Sequence, residues 1–156
     1  MKNRMFMLLG VLCVFVIAGC GKNVKVTGKV TFSDGSPLTV GTIYFTNGTV
    51  SAYGKINGNG AYKLGMIKEG DGIPPGSYQI YFTGATQPSG DPKLQQTDED
   101  GKPYAPQVLV IAPKYSTPEK SGLSCEVKGV MKHDITIEKP GPNYKPVFSK
   151  GDPGKS

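Results

Sequence analysis

Val24, Val26, Gly28, Val30 and Phe32 alternate with Lys25, Thr27, Lys29 and Thr31, and this strict period of two limits the fold more than any other feature of the chain. Successive side chains of a strand point to opposite faces, so the alternation predicts a strand with its valine side buried. Asp34-Gly35-Ser36-Pro37 then supplies turn chemistry, with Gly tolerant of positive φ and Pro fixing the chain beyond it. Thr42-Ile43-Tyr44-Phe45-Thr46 is β-branched and aromatic and predicts a second strand. Residues 51–56 predict a third, and Asn57-Gly58-Asn59-Gly60 predicts a hairpin into Ala61-Tyr62-Lys63-Leu64.

The Gly- and Pro-rich residues 69–76 exclude helix, and alternation resumes over residues 77–83. Residues 84–107 are polar, hold four prolines and the acidic run Asp98-Glu99-Asp100, and have no period, which predicts a long irregular loop. Val108-Leu109-Val110-Ile111 is apolar, residues 112–122 form a Pro-containing connection, and residues 123–127 and 134–138 predict a last pair of strands. With no helical stripe and frequent turns, residues 24–138 read as one all-β domain, an immunoglobulin-like β-sandwich. About 115 residues suffice for one core. Residues 139–156 are rich in Pro, Gly and Lys and too polar to join it, which predicts a flexible tail.

The amino terminus has a different logic. Lys2 and Arg4 precede an apolar stretch over residues 5–17 broken only by Gly10, the pattern of a secretory signal. The stretch is shorter than the roughly 20 apolar residues of a spanning helix. It runs into Ile17-Ala18-Gly19-Cys20, which resembles the lipobox of bacterial lipoproteins. The resemblance implies that residues 1–19 are removed, that the Cys20 thiol receives a diacylglyceryl group, and that residues 20–23 form a lipidated terminus and short linker. Two or three acyl chains hold a protein firmly on a bilayer where one does not. The expected location is therefore the cell envelope. Gly21 stands where inner-membrane retention uses Asp, which favours the outer membrane.

Without the signal, Cys20 and Cys125 are the remaining cysteines. A lipidated Cys20 leaves Cys125 with no partner, and its place in Leu123-Ser124-Cys125-Glu126-Val127 predicts a buried strand residue that acts as a small hydrophobe. The formal charge of +6 is concentrated at the ends. Residues 20–138 hold 12 basic and 11 acidic side chains, whereas residues 139–156 hold four Lys against Asp152. A nearly neutral body argues against nucleic acid, whose phosphates require a basic face.

Val26-Thr27-Gly28-Lys29-Val30, Asp34-Gly35-Ser36-Pro37-Leu38, Asn59-Gly60-Ala61-Tyr62 and Pro75-Gly76-Ser77-Tyr78-Gln79-Ile80 occur in that order. Together they resemble a carboxypeptidase regulatory-like, or transthyretin-like, domain. Ile111-Ala112-Pro113-Lys114-Tyr115 followed by Ser121-Gly122-Leu123 is similar to the end of small planctomycete lipoproteins with this domain. Ala112 replaces the usual proline and Asn59 the usual hairpin Asp. The resemblance implies a fold and a location and no reaction.

The residues offer little chemistry. His133 is the one histidine, in the turn before the last strand, and a lone His supplies neither a zinc cage nor an oriented triad. Residues 96–107 depart from a calcium loop at Gln96 and Gln107, where ligating carboxylates belong. Asn47-Gly48-Thr49 reads as a turn before a glycosylation site. No catalytic residue, metal or cofactor is expected. Tyr44, Tyr53, Tyr62, Tyr78 and Tyr81 fall on strands, and Tyr81 and Phe82 cannot both face the core. The expected task is a structural or protein-interaction module contacting an envelope protein or polymer. The alternative is a carbohydrate-binding module, recognisable by two or three exposed aromatics on one face. A hydrolase accessory role ranks last.

Overall fold

The computed structural model describes residues 22–145, so the signal stretch, Cys20 and residues 146–156 lie outside the described part. The strands are β1 (Val26–Phe32), β2 (Thr42–Thr46), β3 (Ser51–Lys55), β4 (Ala61–Lys63), β5 (Gly76–Thr83), β6 (Thr86–Pro88), β7 (Gln96–Thr97), β8 (Pro103–Tyr104), β9 (Gln107–Leu109), β10 (Leu123–Val127), β11 (Met131–Lys132) and β12 (Ile135–Ile137). Among the described residues one short α-helix, α1 (Pro118–Ser121), ends at Gly122 in the left-handed conformation, and single 3-10 turns span Pro92–Leu94 and Pro113–Ser116. The fold is an all-β sandwich.

One sheet is antiparallel in the order β10-β5-β2-β3. The other is built on β1, which pairs β4 antiparallel and both β11 and β12 in parallel. Between them lie Val26, Val30 and Phe32 of β1, Ile43 and Phe45 of β2, Tyr78, Ile80 and Phe82 of β5, and Ile135 and Ile137 of β12, all buried. Phe45 spans the interior, its ring 6.3 Å from both Tyr62 and Tyr78. The valine alternation of β1 thus has the physical role its period implies.

Two strand pairings differ from the sequence expectation. Asn57 does build the turn, its side chain accepting from the amides of Asn59 and Ala61 at 3.0 Å each. The chain then crosses between sheets, because β4 pairs with β1 while β3 stays with β2. Likewise β10 and β12 are not partners. β10 runs along β5 and β12 along β1.

Residues 84–107 are an ordered arm. β6 pairs β9 at its base and β7 pairs β8 further out. The acidic run is its turn: the Asp98 carboxylate accepts from the amides of Asp100 (3.1 Å) and Lys102 (2.7 Å), and the Gly101 amide donates to the Asp98 carbonyl. Period-two reasoning misses such strands because two or three residues are too few to show an alternation. Beyond the arm, Ile111 and Tyr115 enter the core, and the Tyr115 ring meets Phe82 edge-on at 6.4 Å.

Lys139 is held by the sandwich. Its ammonium lies 2.6 Å from the Asp34 carboxylate and 5.0 Å from the centre of the Phe32 ring. The Lys139 ammonium, helped by Ser36, holds the Asp34 carboxyl far below the usual range.

Gly76 departs from the type II turn that Pro75-Gly76 suggests. It opens β5 with φ of 157°, well away from the roughly 80° of such a turn, and although an added Cβ would make only ordinary contacts, the positive φ itself disfavours a side chain there. The Pro-Gly-x-Tyr pattern instead serves Tyr78, whose buried hydroxyl donates to the Pro74 carbonyl at 2.9 Å and ties the loop to the strand that follows. This is the device of a tyrosine corner.

Candidate binding face

Every outward position at the centre of the β10-β5-β2-β3 sheet is a tyrosine except on β10. In the ladder register Tyr44 lies between Tyr53 and Tyr81, all three half-buried, while Phe82 and Phe45 take the inward positions. The Tyr44 and Tyr81 rings stack at 5.0 Å with 20° between their planes, and Tyr44 and Tyr53 are tilted at 6.3 Å. These spacings follow from cross-strand neighbours roughly 5 Å apart. The Tyr53 hydroxyl donates to the Ile67 carbonyl at 3.1 Å, and the Ile67 side chain is 88% exposed, the most exposed large apolar group in the described chain. The result is an apolar stripe across three strands that ends in a protruding isoleucine.

The flanking rows are uncharged apart from one lysine. Thr42 sits between Thr83 and Lys55, and Thr46 between Gln79 and Ser51. Such a face can bind by area and hydroxyl hydrogen bonds.

The loop carrying Ile67 is fixed by one carboxylate. Asp71 accepts from the amides of Met66 (2.9 Å), Lys68 (3.1 Å) and Ile67 (3.3 Å). These bonds, that from Lys68 foremost, hold its carboxyl below the ordinary range. Lys132 does the same for Asp134. Folded-state values below the roughly 3.9 of an unfolded Asp mean that the unfolded chain binds protons first as pH falls. The stabilisation from Asp34, Asp71 and Asp134 is therefore complete above about pH 4 to 5 and lost as pH drops through the depressed folded values. Thermal melts are expected to be flat from pH 7 to about 5 and to fall below about 4. Asp71→Asn should reduce that fall, and an unchanged acid limb would show that the loop is held otherwise.

The other residues singled out in the sequence do not converge on this face. Cys125 is buried in β10, and burial pushes its thiol up, away from reactive thiolate. His133 is not the solvated turn residue its position suggests. It is half-buried with its ring edge-on to Phe45 at 6.2 Å, its amide donates to the Thr27 carbonyl, and its carbonyl accepts from the Tyr62 hydroxyl at 2.7 Å. Asn47-Gly48-Thr49 is a turn, the Asn47 side chain accepting from the amides of Thr49 and Val50. Among the described residues no three His, Cys, Asp or Glu gather as a metal site.

A groove between the β1–β2 turn and the base of the arm is lined by Pro37, Thr39, Gln87, Val110 and Lys139, and Lys139 is its one titratable group. Among the described residues no helix is long and apolar enough to cross a membrane.

Protein-family profiles and curated proteins give no match to the chain. Among solved structures it is similar to BcpA, the major pilin subunit of Bacillus cereus, at 18% identity and a TM-score of 0.42, over 76% of this chain and 30% of the pilin. A variant of that pilin gives 18% and 0.39. A 9R-lipoxygenase from Cyanothece gives 17% and 0.31, over 85% of this chain and 19% of the enzyme. The chain thus spans under a third of each neighbour's length, and likeness at these scores carries neither family nor activity. The tyrosine face stands on its own geometry.

Proposed function

We propose that this protein is a non-catalytic interaction module of the cell envelope, anchored by lipid on Cys20, whose tyrosine face binds another protein. The observation that carries the binding role is the Tyr53-Tyr44-Tyr81 stripe on an open sheet face beside exposed Ile67. Tyrosine offers large amphipathic contact area at little conformational cost and is enriched at protein interfaces. The anchor rests on Ile17-Ala18-Gly19-Cys20 after an apolar run, and the carboxypeptidase regulatory-like resemblance agrees with a sandwich of this size.

A carbohydrate-binding role is the second reading, favoured by three aligned aromatics with hydroxyl-bearing neighbours. Ring geometry counts against it. Sugars stack on open aromatic faces, whereas the Tyr44 ring is already stacked on Tyr81 and lies beside Tyr53.

Both parts are testable in the living cell. Metabolic labelling with a fatty acid is expected to mark the wild type and not Cys20→Ser, and equal labelling would refute the anchor. Crosslinking of envelope fractions should yield partners that are lost in the Tyr44→Ala/Tyr81→Ala variant. Retention of every partner, or binding to a glycan array that disappears in that variant, would overturn the protein-binding reading.

A further inference from the structure

The outer face of the β1 sheet carries the opposite character. Thr27 lies between Lys63 of β4 and Lys132 of β11 in the ladder register, and Lys25 and Lys29 sit two residues either side of it on the same face. All four lysines are exposed. Two carboxylates border the cluster: Asp134, paired with Lys132 at 2.7 Å, and Glu69, which shares a shallow groove with Lys25 and Lys63. Positive charge remains in excess, and Lys22 adds to it just upstream. The folded body is nearly neutral in sum, but this face carries four lysines against two carboxylates.

We infer that this lysine face lies against an anionic lipid surface and turns the tyrosine face outward. The inference rests on the lipid anchor proposed above. Val24, bridged to Ile73 at the entrance to β1, is four residues from Cys20, a reach of at most about 14 Å at 3.3 to 3.6 Å per residue. Lys25 follows at once, so the cluster begins within about two screening lengths of the attachment point. A short tether holds the sheet near the headgroups, and anionic lipid then selects which face meets them. Each lysine close to such a surface contributes roughly a fivefold preference. Sheet geometry sets the outcome, since the two outer faces of a sandwich point in opposite directions.

The test uses the mature, fatty-acid-labelled lipoprotein reconstituted in vesicles of phosphatidylcholine alone or with about one-third phosphatidylglycerol, pulsed with an amine-acetylating reagent and read by peptide mass spectrometry. Lys25, Lys29, Lys63 and Lys132 are expected to react about fivefold or more slowly on the anionic vesicles, with the difference lost in 1 M salt. Lys55, on the tyrosine side, should react alike on both. A variant with all four lysines changed to Gln, checked for an unchanged thermal melt, should equalise Lys22 labelling between vesicles and leave Lys55 as it was. Equal rates for the wild-type cluster on the two vesicles overturn the inference while leaving the anchor standing. So does protection by a soluble acidic wall polymer on neutral vesicles that equals protection by anionic lipid. Absence of fatty-acid label overturns the anchor itself, and the unlipidated chain is then sedimented with the same vesicles, where a failure to prefer the anionic ones overturns the lysine face as well.

Discussion

Gly28→Ala is expected to lower the free energy of unfolding by on the order of 3 kcal/mol or more. Gly28 occupies an inward position of β1 where β11 gives way to β12, and the intervening His133-Asp134, in unbroken register with residues 28–29, brings the His133 carbonyl against it. The His133 carbonyl turns over the sheet and accepts the buried Tyr62 hydroxyl at 2.7 Å, while the Asp134 carboxylate accepts the Lys29 amide at 2.9 Å. A Cβ on residue 28 would overlap that carbonyl oxygen and come within 2.8 Å of the Tyr62 oxygen. Relief requires moving backbone, and it strands a buried hydroxyl whose ionisation burial already disfavours. Gly58→Ala is the control, since nothing lies within 4 Å of a Cβ there. Urea melts should show a much lower midpoint for Gly28→Ala and a small change for Gly58→Ala. Coincident midpoints for Gly28→Ala and wild type would mean that the His133 carbonyl does not press on residue 28.

Phe45→Ala is expected to cost about 3 to 5 kcal/mol, the range for a fully buried aromatic reduced to alanine. Its ring is fully buried and adjoins Tyr62, Tyr78 and His133, so its loss opens a cavity between the sheets that these larger neighbours cannot fill without leaving their hydrogen bonds. Its neighbour Tyr44 faces the other way. Tyr44→Ala forfeits stacking on Tyr81, about 0.5 to 1.5 kcal/mol, and leaves the core intact. The pair separates stability from binding along one strand. Phe45→Ala should unfold at far lower denaturant, whereas Tyr44→Ala should stay folded at 37 °C and lose its crosslinked partners. A Tyr44→Ala domain that unfolds as readily as Phe45→Ala would assign the tyrosine stripe to stability.

Several local features were legible in the residues alone. The valine alternation of β1, the β2 and β5 strands, and burial of Cys125 and of one member of the Tyr81-Phe82 pair follow from a two-residue period and need no tertiary information. The turn at Asn57-Gly58-Asn59-Gly60 was equally legible, but its destination was not. Turn chemistry fixes a reversal of direction, and whether the next strand pairs with its predecessor or crosses to the opposite sheet depends on contacts far along the chain. The same limit applies to the β10–β5 and β12–β1 pairings, and to the arm over residues 84–107, whose strands of two or three residues are too short to show a period.

The sequence by itself determined an all-β domain, the inward row of β1, the burial of Cys125 and the presence of the motif at Cys20, because each depends on residue type and near neighbours. Tertiary structure alone decided which outward-facing residues share a surface. Tyr53, Tyr44 and Tyr81 become a stripe only through the β3–β2–β5 register, and Lys25, Lys29, Lys63 and Lys132 become a cluster only because β4 and β11 flank β1. Summed charge along a chain carries no information about direction, whereas a sandwich sends its two outer faces opposite ways. The physical reason is that strand pairing joins residues dozens of positions apart, and the polar rows of each strand, unconstrained by burial, bear no local mark of their partners.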